Sequence, residues 1–180
     1  MRRSSCVFNI VVCSPRFGDR SIRDTSLHDR NRIGIGDPET WPLAVGGNIE
    51  LAYMREQADE NPLSLEFRPI IAKTFGKLSL VANFAFEKPL RGPGSHDGVT
   101  LAPSEFISYD LLPWLIPAIE YYGELGPVRH FLPLSHQQHF IVPVLNFDLL
   151  PQLELNIGVG IGTTEASRGT FGKSIIGWTF

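Results

Sequence analysis

The side chains of this sequence best suited to hold a metal are five histidines, His28, His96, His130, His136 and His139. His136 and His139 stand three apart, a spacing that brings two imidazoles together on a helix. Four of the five, however, fall in or beside the polar stretches 88–103 and 124–138, where sequence neighbours need not converge. They read as solvated loop residues, and no metal is expected. Ser95-His96 and Ser135-His136 pair a nucleophile with a base in sequence only. A hydrolytic triad is an arrangement in space, so adjacency assigns no catalytic residue. Gly158-Val159-Gly160-Ile161-Gly162 resembles a phosphate loop superficially, yet no Lys-Ser/Thr pair or helix pattern follows it. Cys6 and Cys13 are the two cysteines, both near the start, which excludes a disulfide framework and a cysteine metal site. No enzyme activity and no cofactor are expected.

A second set of polar residues is spaced differently. Glu50, Glu66, Arg68, Asn83, Glu87, Glu120, Asn146, Glu154 and Asn156 sit between apolar neighbours in alternating segments. Alternation of period two separates the faces of a strand completely, whereas a helix would scatter them. In Leu153 to Gly162, one face takes Leu153, Leu155, Ile157, Val159 and Ile161, and the other Glu154, Asn156 and three glycines. Leu78, Leu80, Ala82, Phe84 and Phe86 oppose Lys77, Ser79, Asn83 and Glu87 in the same way. The nine polar residues are expected to line an interior. Buried charge needs a partner, so Arg68 is expected to pair with one or more of the carboxylates. Such a lining either plugs the interior or selects small solutes.

The elements that position these residues are eight expected strands, at 46–55, 62–71, 77–87, 104–111, 116–123, 139–148, 153–162 and 173–180. Pro69, Pro117 and Pro143 each remove a ladder donor and imply a bulge, a strand end or an edge. The connections near 72–76, 112–115 and 149–152 are short, and those near 88–103, 124–138 and 163–172 are longer. In an up-and-down meander the two sets fall on opposite rims. The expected fold is therefore all-β, an antiparallel meander that forms a transmembrane β-barrel or part of one, over residues 46–180. Residues 1–45 are expected to form an irregular arm. Met1-Arg2-Arg3 and the short apolar run from Cys6 to Cys13 lack a small-residue cleavage site, and read as a mis-assigned or truncated start.

Alternation alone does not distinguish a soluble sheet from a membrane barrel, because one pattern is the other turned inside out. A net charge of -3 gives no footprint for nucleic acid. No apolar run approaches the roughly 20 residues of a spanning helix, so a membrane would be crossed by strands. Three features favour the membrane. Gly158, Gly160 and Gly162 suit a crowded small-barrel interior. Phe67, Phe84, Phe86, Trp114, Tyr121, Tyr122, Phe147, Trp178 and Phe180 lie toward strand ends, where aromatic girdles form. Finally, Ile176, Trp178 and Phe180 share a lipid-side face of the last strand and resemble the C-terminal signal that barrel assembly machinery reads, with Ile175, Gly177 and Thr179 turned inward.

Several stretches resemble a bacterial outer-membrane barrel family. They are Glu66-Phe67-Arg68-Pro69-Ile70, Lys73-Thr74-Phe75-Gly76-Lys77-Leu78, Asn83 to Leu90 with Arg91-Gly92-Pro93-Gly94, Glu120-Tyr121-Tyr122-Gly123-Glu124-Leu125-Gly126-Pro127, Gln137-Gln138-His139 and Leu155-Asn156-Ile157-Gly158-Val159-Gly160. The resemblance covers about residues 44–180. It implies the outer membrane of a Gram-negative bacterium and a porin-like transporter or passive channel for a small solute. Its partners would be outer-membrane lipid and the barrel assembly machinery. A non-conducting barrel acting through its loops is the alternative, and a soluble lipocalin-like binder the third. Nothing in the residues identifies a solute.

Overall fold

The computed structural model describes residues 27–35, 37, 40–53 and 60–178, with the backbone course alone for the first segment. Ten strands form one antiparallel sheet: β1 (Leu27–Ile35), β2 (Ala44–Tyr53), β3 (Leu63–Phe75), β4 (Leu78–Arg91), β5 (Thr100–Tyr109), β6 (Leu115–Glu124), β7 (Gly126–Pro127), β8 (Gln138–Leu150), β9 (Leu153–Gly162) and β10 (Thr170–Trp178). Nine of them lie side by side in chain order, and the two-residue β7 pairs with β5. The architecture is the expected up-and-down meander. Among the described residues there is no α-helix, and the sheet is not closed. With nine strands in alternating directions, the two edges β1 and β10 run the same way.

The expected strands fall within a few residues of β2–β6 and β8–β10. β1 is a correction to the irregular arm expected over residues 1–45, since Leu27–Ile35 forms a strand. The cause is visible in its residues. His28, Asp29, Arg30 and Arg32 interrupt any apolar alternation. The strand is defined by its register on β2, where Arg30 stands opposite Glu50 and Asn31 opposite Ile49. The prolines act on one side only. Pro69 pairs with Gly47 of β2 but falls in a gap of the β3–β4 ladder, between Phe67↔Phe86 and Ile70↔Asn83. Pro143 pairs with Ile119 of β6 and falls in a gap of the β8–β9 ladder. The register is the same on either side of each gap, so a missing donor interrupts hydrogen bonding without shifting the strands.

Burial is inverted relative to a water-soluble sheet. Ile119 is 52% exposed while its neighbour Glu120 is 5% exposed. On β2, Asn48 and Glu50 are buried while Ile49, Leu51 and Tyr53 are exposed. Ile157, Val159 and Ile161 are exposed on β9, whereas Gly158 and Gly160 are buried. The small apolar core, Ala118, Val142 and Val144 with Phe106, Tyr122, Phe140 and Phe171, lies on the same face as the buried polar groups.

That face is concave. Lys173 of β10 forms an ion pair with Glu120 of β6, although β8 and β9 lie between them. Three strand spacings amount to roughly 14 Å on a flat sheet, where upright side chains would not meet. Phe140 of β8 and Phe171 of β10 likewise touch edge to face across β9, with ring centroids 5.4 Å apart. The glycines of β9 permit this. A Cβ on Gly160 would stand 2.2 Å from the Phe171 ring, and one on Gly158 would stand 2.5 Å from Val144.

Gly162 sits under the loop between β9 and β10, whose Ser167 carbonyl oxygen would be 1.5 Å from a Cβ there. The same loop is tied to the start of β8. The Ser167 hydroxyl donates to the His139 carbonyl at 2.9 Å, and the Thr164 hydroxyl donates to the Gln137 carbonyl at 2.6 Å. Gly162→Ala should therefore lift the loop from β8 and lower stability by about 1–3 kcal/mol, the usual range for overpacking. Limited proteolysis should show new cleavage within 163–169. An unchanged digestion pattern would contradict this packing.

Candidate functional site

The candidate site is the concave face, and it has two unlike halves. Over β2–β5 it is polar and loosely paired. Asn48 stands opposite Arg68, Glu50 opposite Glu66, and Glu66 opposite Glu87. Arg68 Nη2 lies 2.8 Å from Glu66 Oε1 and 2.9 Å from Oε2, a same-face i, i+2 pair along β3. This is the carboxylate partner that the sequence required. Asn83 donates to the carbonyl and hydroxyl oxygens of Ser104, each at 3.4 Å. Among the described residues, three buried atoms in this half have no hydrogen-bond partner, Asn48 Oδ1, Arg68 Nε and Glu66 Oε1, the last of which is ion-paired to Arg68. Buried polar atoms of that kind are rare in finished cores and are usually met by water or a ligand.

The other half, over β6–β10, is packed. Lys173 and Glu120 form a buried ion pair, and Tyr122 donates its hydroxyl to Glu120 Oε2 at 2.7 Å. The Lys173 ammonium also lies 5.8 Å from the Tyr122 ring centroid. Around this triad stand Ala118, Val142, Val144, Phe106, Phe140 and Phe171. Near the opposite rim, Asn156 donates to Asn146 Oδ1 at 2.6 Å, and Asn146 donates to the Ile116 carbonyl at 3.0 Å.

Of the nine residues assigned to the lining, Glu50 and Glu120 are buried, and Glu66, Arg68, Asn83, Asn146 and Asn156 are part-buried. Glu87 and Glu154 are exposed. They keep the alternation of the concave face but lie near its two ends, Glu87 opposite Thr100 and Glu154 opposite Asp148. They border its mouths. Tyr122 is a further correction, because it turns onto Glu120 instead of joining an outward aromatic belt.

The reading from sequence passed over Lys173, the cation at the centre of the packed half. The signal was present. With Ile176 and Trp178 outward, strand parity turns Lys173 inward, at the first residue of the expected strand 173–180. Ile176 is 71% exposed, and Trp178 is exposed too. Phe180, the third member of the expected assembly signal, lies outside the described residues.

The histidines do not converge. His139 Nδ1 lies 2.6 Å from the Tyr121 hydroxyl and its Nε2 lies 2.9 Å from Gln137 Oε1, so both ring nitrogens are engaged. Ser135 Oγ is 3.4 Å from His136 Nδ1 at an exposed position. The side chain of His28 lies outside the described residues. Among the described residues no three His, Cys, Asp or Glu side chains are grouped to hold a metal. Comparison with family models, with curated proteins and with solved structures finds no match to this chain.

Proposed function

We propose that this chain belongs to an outer-membrane β-barrel that passes a small polar solute along its concave face. The observation that carries the reading is the inverted burial, with Ile49, Leu51, Ile119, Ile157 and Val159 outward and Asn48, Glu50 and Glu120 inward. A water-soluble sheet keeps its apolar face inside. Lipid-facing strands do the reverse.

A second feature supports it. Phe75, Tyr109, Trp114 and Trp178 are exposed at the rim that carries the short turns 76–77, 110–114 and 151–152. Trp41 is exposed beside the same rim, and Trp114 stacks on Phe147 at 6.5 Å. Aromatic rings concentrate at the two interfaces of a bilayer, and short turns belong to the periplasmic side. The longer loops 92–99, 125–137 and 163–169 then face outward from the cell.

The solute path lies over β2–β4, where Asn48 Oδ1 and Arg68 Nε have no hydrogen-bond partner among the described residues. Over β6–β10 the face is occupied by the Lys173–Glu120 pair, Tyr122 and the apolar cluster around Val142. That same packing favours a second reading, a barrel that does not conduct and acts through its outward loops. A lipocalin-like binder is less well supported, because it needs the apolar faces inside.

The test is refolding of the chain into lipid vesicles, followed by planar-bilayer conductance in simple salt. Stable insertion with discrete conductance steps is the expected result. Insertion without conductance would replace transport by the second reading. A folded protein recovered from buffer without detergent would overturn the membrane reading altogether.

A further inference from the structure

The outward face carries one group that hydrocarbon does not suit. Phe106 and Ser108 of β5 turn onto the concave side, so Glu105 turns outward beside Ile107, which is 47% exposed. Glu105 is itself exposed, midway along β5. Its register neighbours are Ala82 of β4 and Tyr121 of β6. The outward lysines lie nearer the rims and are engaged, Lys73 with the Trp41 carbonyl and Lys88 with the Ser95 carbonyl. Among the described residues the Glu105 carboxyl group has no hydrogen-bond or ion-pair partner. An ionisable group left facing lipid is costly, and one that is kept there marks a contact or a pathway.

The same patch holds a matching group. A Cβ on Gly123 would stand 2.7 Å from the Tyr121 hydroxyl and 3.1 Å from Pro103 Cγ, so the tyrosine ring lies along the outward position that Gly123 leaves vacant. His139 Nδ1 fixes the hydroxyl there at 2.6 Å. A hydroxyl donates or accepts, and the imidazole nitrogen answers it in either tautomer, so Tyr121 can meet a carboxyl group in either protonation state. Carboxyl and hydroxyl thus stand side by side on adjacent strands. A half-turn about the membrane normal sets β5 of one copy against β6 of another and keeps both copies the same way up. Each Glu105 then faces the other copy's Tyr121, the reciprocity of a two-fold contact. Ala82 and Gly123 are small enough to let the two walls approach. β5 is central in the nine-strand path, so this contact leaves both open edges clear.

We propose that the outward faces of β5 and β6 join two copies of this chain side by side in the membrane, through reciprocal Glu105–Tyr121 hydrogen bonds. The inference rests on the membrane reading and adds a partner to it.

Förster transfer between donor- and acceptor-labelled copies in phosphatidylcholine vesicles tests it, over a series of protein-to-lipid ratios. The wild-type chain should associate in pairs. Glu105→Leu and Tyr121→Phe should each weaken association about tenfold, since either change removes both hydrogen bonds of a pair. An equimolar mixture of the two variants should associate more tightly than either alone. The mixed pair keeps one Glu105–Tyr121 bond and sets leucine against phenylalanine at the other. Glu105→Leu puts an apolar residue at an exposed outward position, so it should fold whether or not the copies pair. Association that is unchanged in both variants would overturn the proposal, and contact through the edges β1 and β10 would give that result. A wild-type chain that inserts but stays monomeric removes the pairing alone. Failure of the wild type to insert removes the membrane reading and the pairing with it.

Discussion

Replacing Lys173 with methionine will lower the stability of the detergent-refolded protein by about 3–5 kcal/mol, the loss expected when one partner of a buried ion pair is removed. The effect is large because the remaining charge has nowhere to go. Glu120 is 5% exposed and surrounded by Ala118, Val142 and Phe171. Tyr122 still donates one hydrogen bond to it, but a hydroxyl does not neutralise a carboxylate. Domains of this size are stable by only about 5–15 kcal/mol, so a substantial share of the total is at stake. Pairing Lys173→Met with Glu120→Leu should recover much of the loss, since apolar groups replace a desolvated pair well. Recovery will be incomplete because the Tyr122 hydroxyl loses its acceptor. Urea midpoints followed by tryptophan fluorescence measure all three variants. A single-variant loss below about 1 kcal/mol, the range of surface pairs, would mean that the network is open to water.

Val159→Arg will separate bilayer from water most sharply. Val159 is 51% exposed between two buried glycines of β9. At an ordinary wet surface such a change falls within about 0.5 kcal/mol of neutral. On the lipid face of a barrel, arginine near the midplane destabilises by about 2–4 kcal/mol. The measurement is unfolding in phospholipid vesicles, with Glu154→Gln at the mouth of the concave face as a control that should change little. A neutral Val159→Arg in vesicles would contradict the outward-lipid assignment of β9.

The meander and its two faces could be read from the order of residues, because period-two alternation acts over short stretches and needs no partner. β9 is the clearest case, with every second residue from Leu153 apolar. β1 could not be read this way. Its charges hide the period, and only its ladder to β2 makes it a strand. The site was legible in part. Arg68 and Glu66 stand two apart on one strand, so local parity places them on one face. Lys173 and Glu120 lie 53 residues apart and meet only because the sheet curls over two intervening strands. No local pattern carries curvature. Tyr122 was misplaced for the same reason, since an aromatic near a strand end suits a belt until the opposite wall is known.

The matching direction of the two edge strands has a consequence in counting. A ring whose neighbours all run oppositely has an even number of members, and the nine strands of this path are odd. Joined directly, β1 and β10 would make a parallel seam in an otherwise antiparallel wall. Antiparallel closure calls for an odd number of further strands, from residues outside those described or from another chain. Among the described residues both edges present unpaired amides and carbonyls, which hydrocarbon does not tolerate and which invite edge-to-edge aggregation in water. The wall is thus a sheet with a vacancy of fixed polarity. Whatever fills it must run opposite to both neighbours at once.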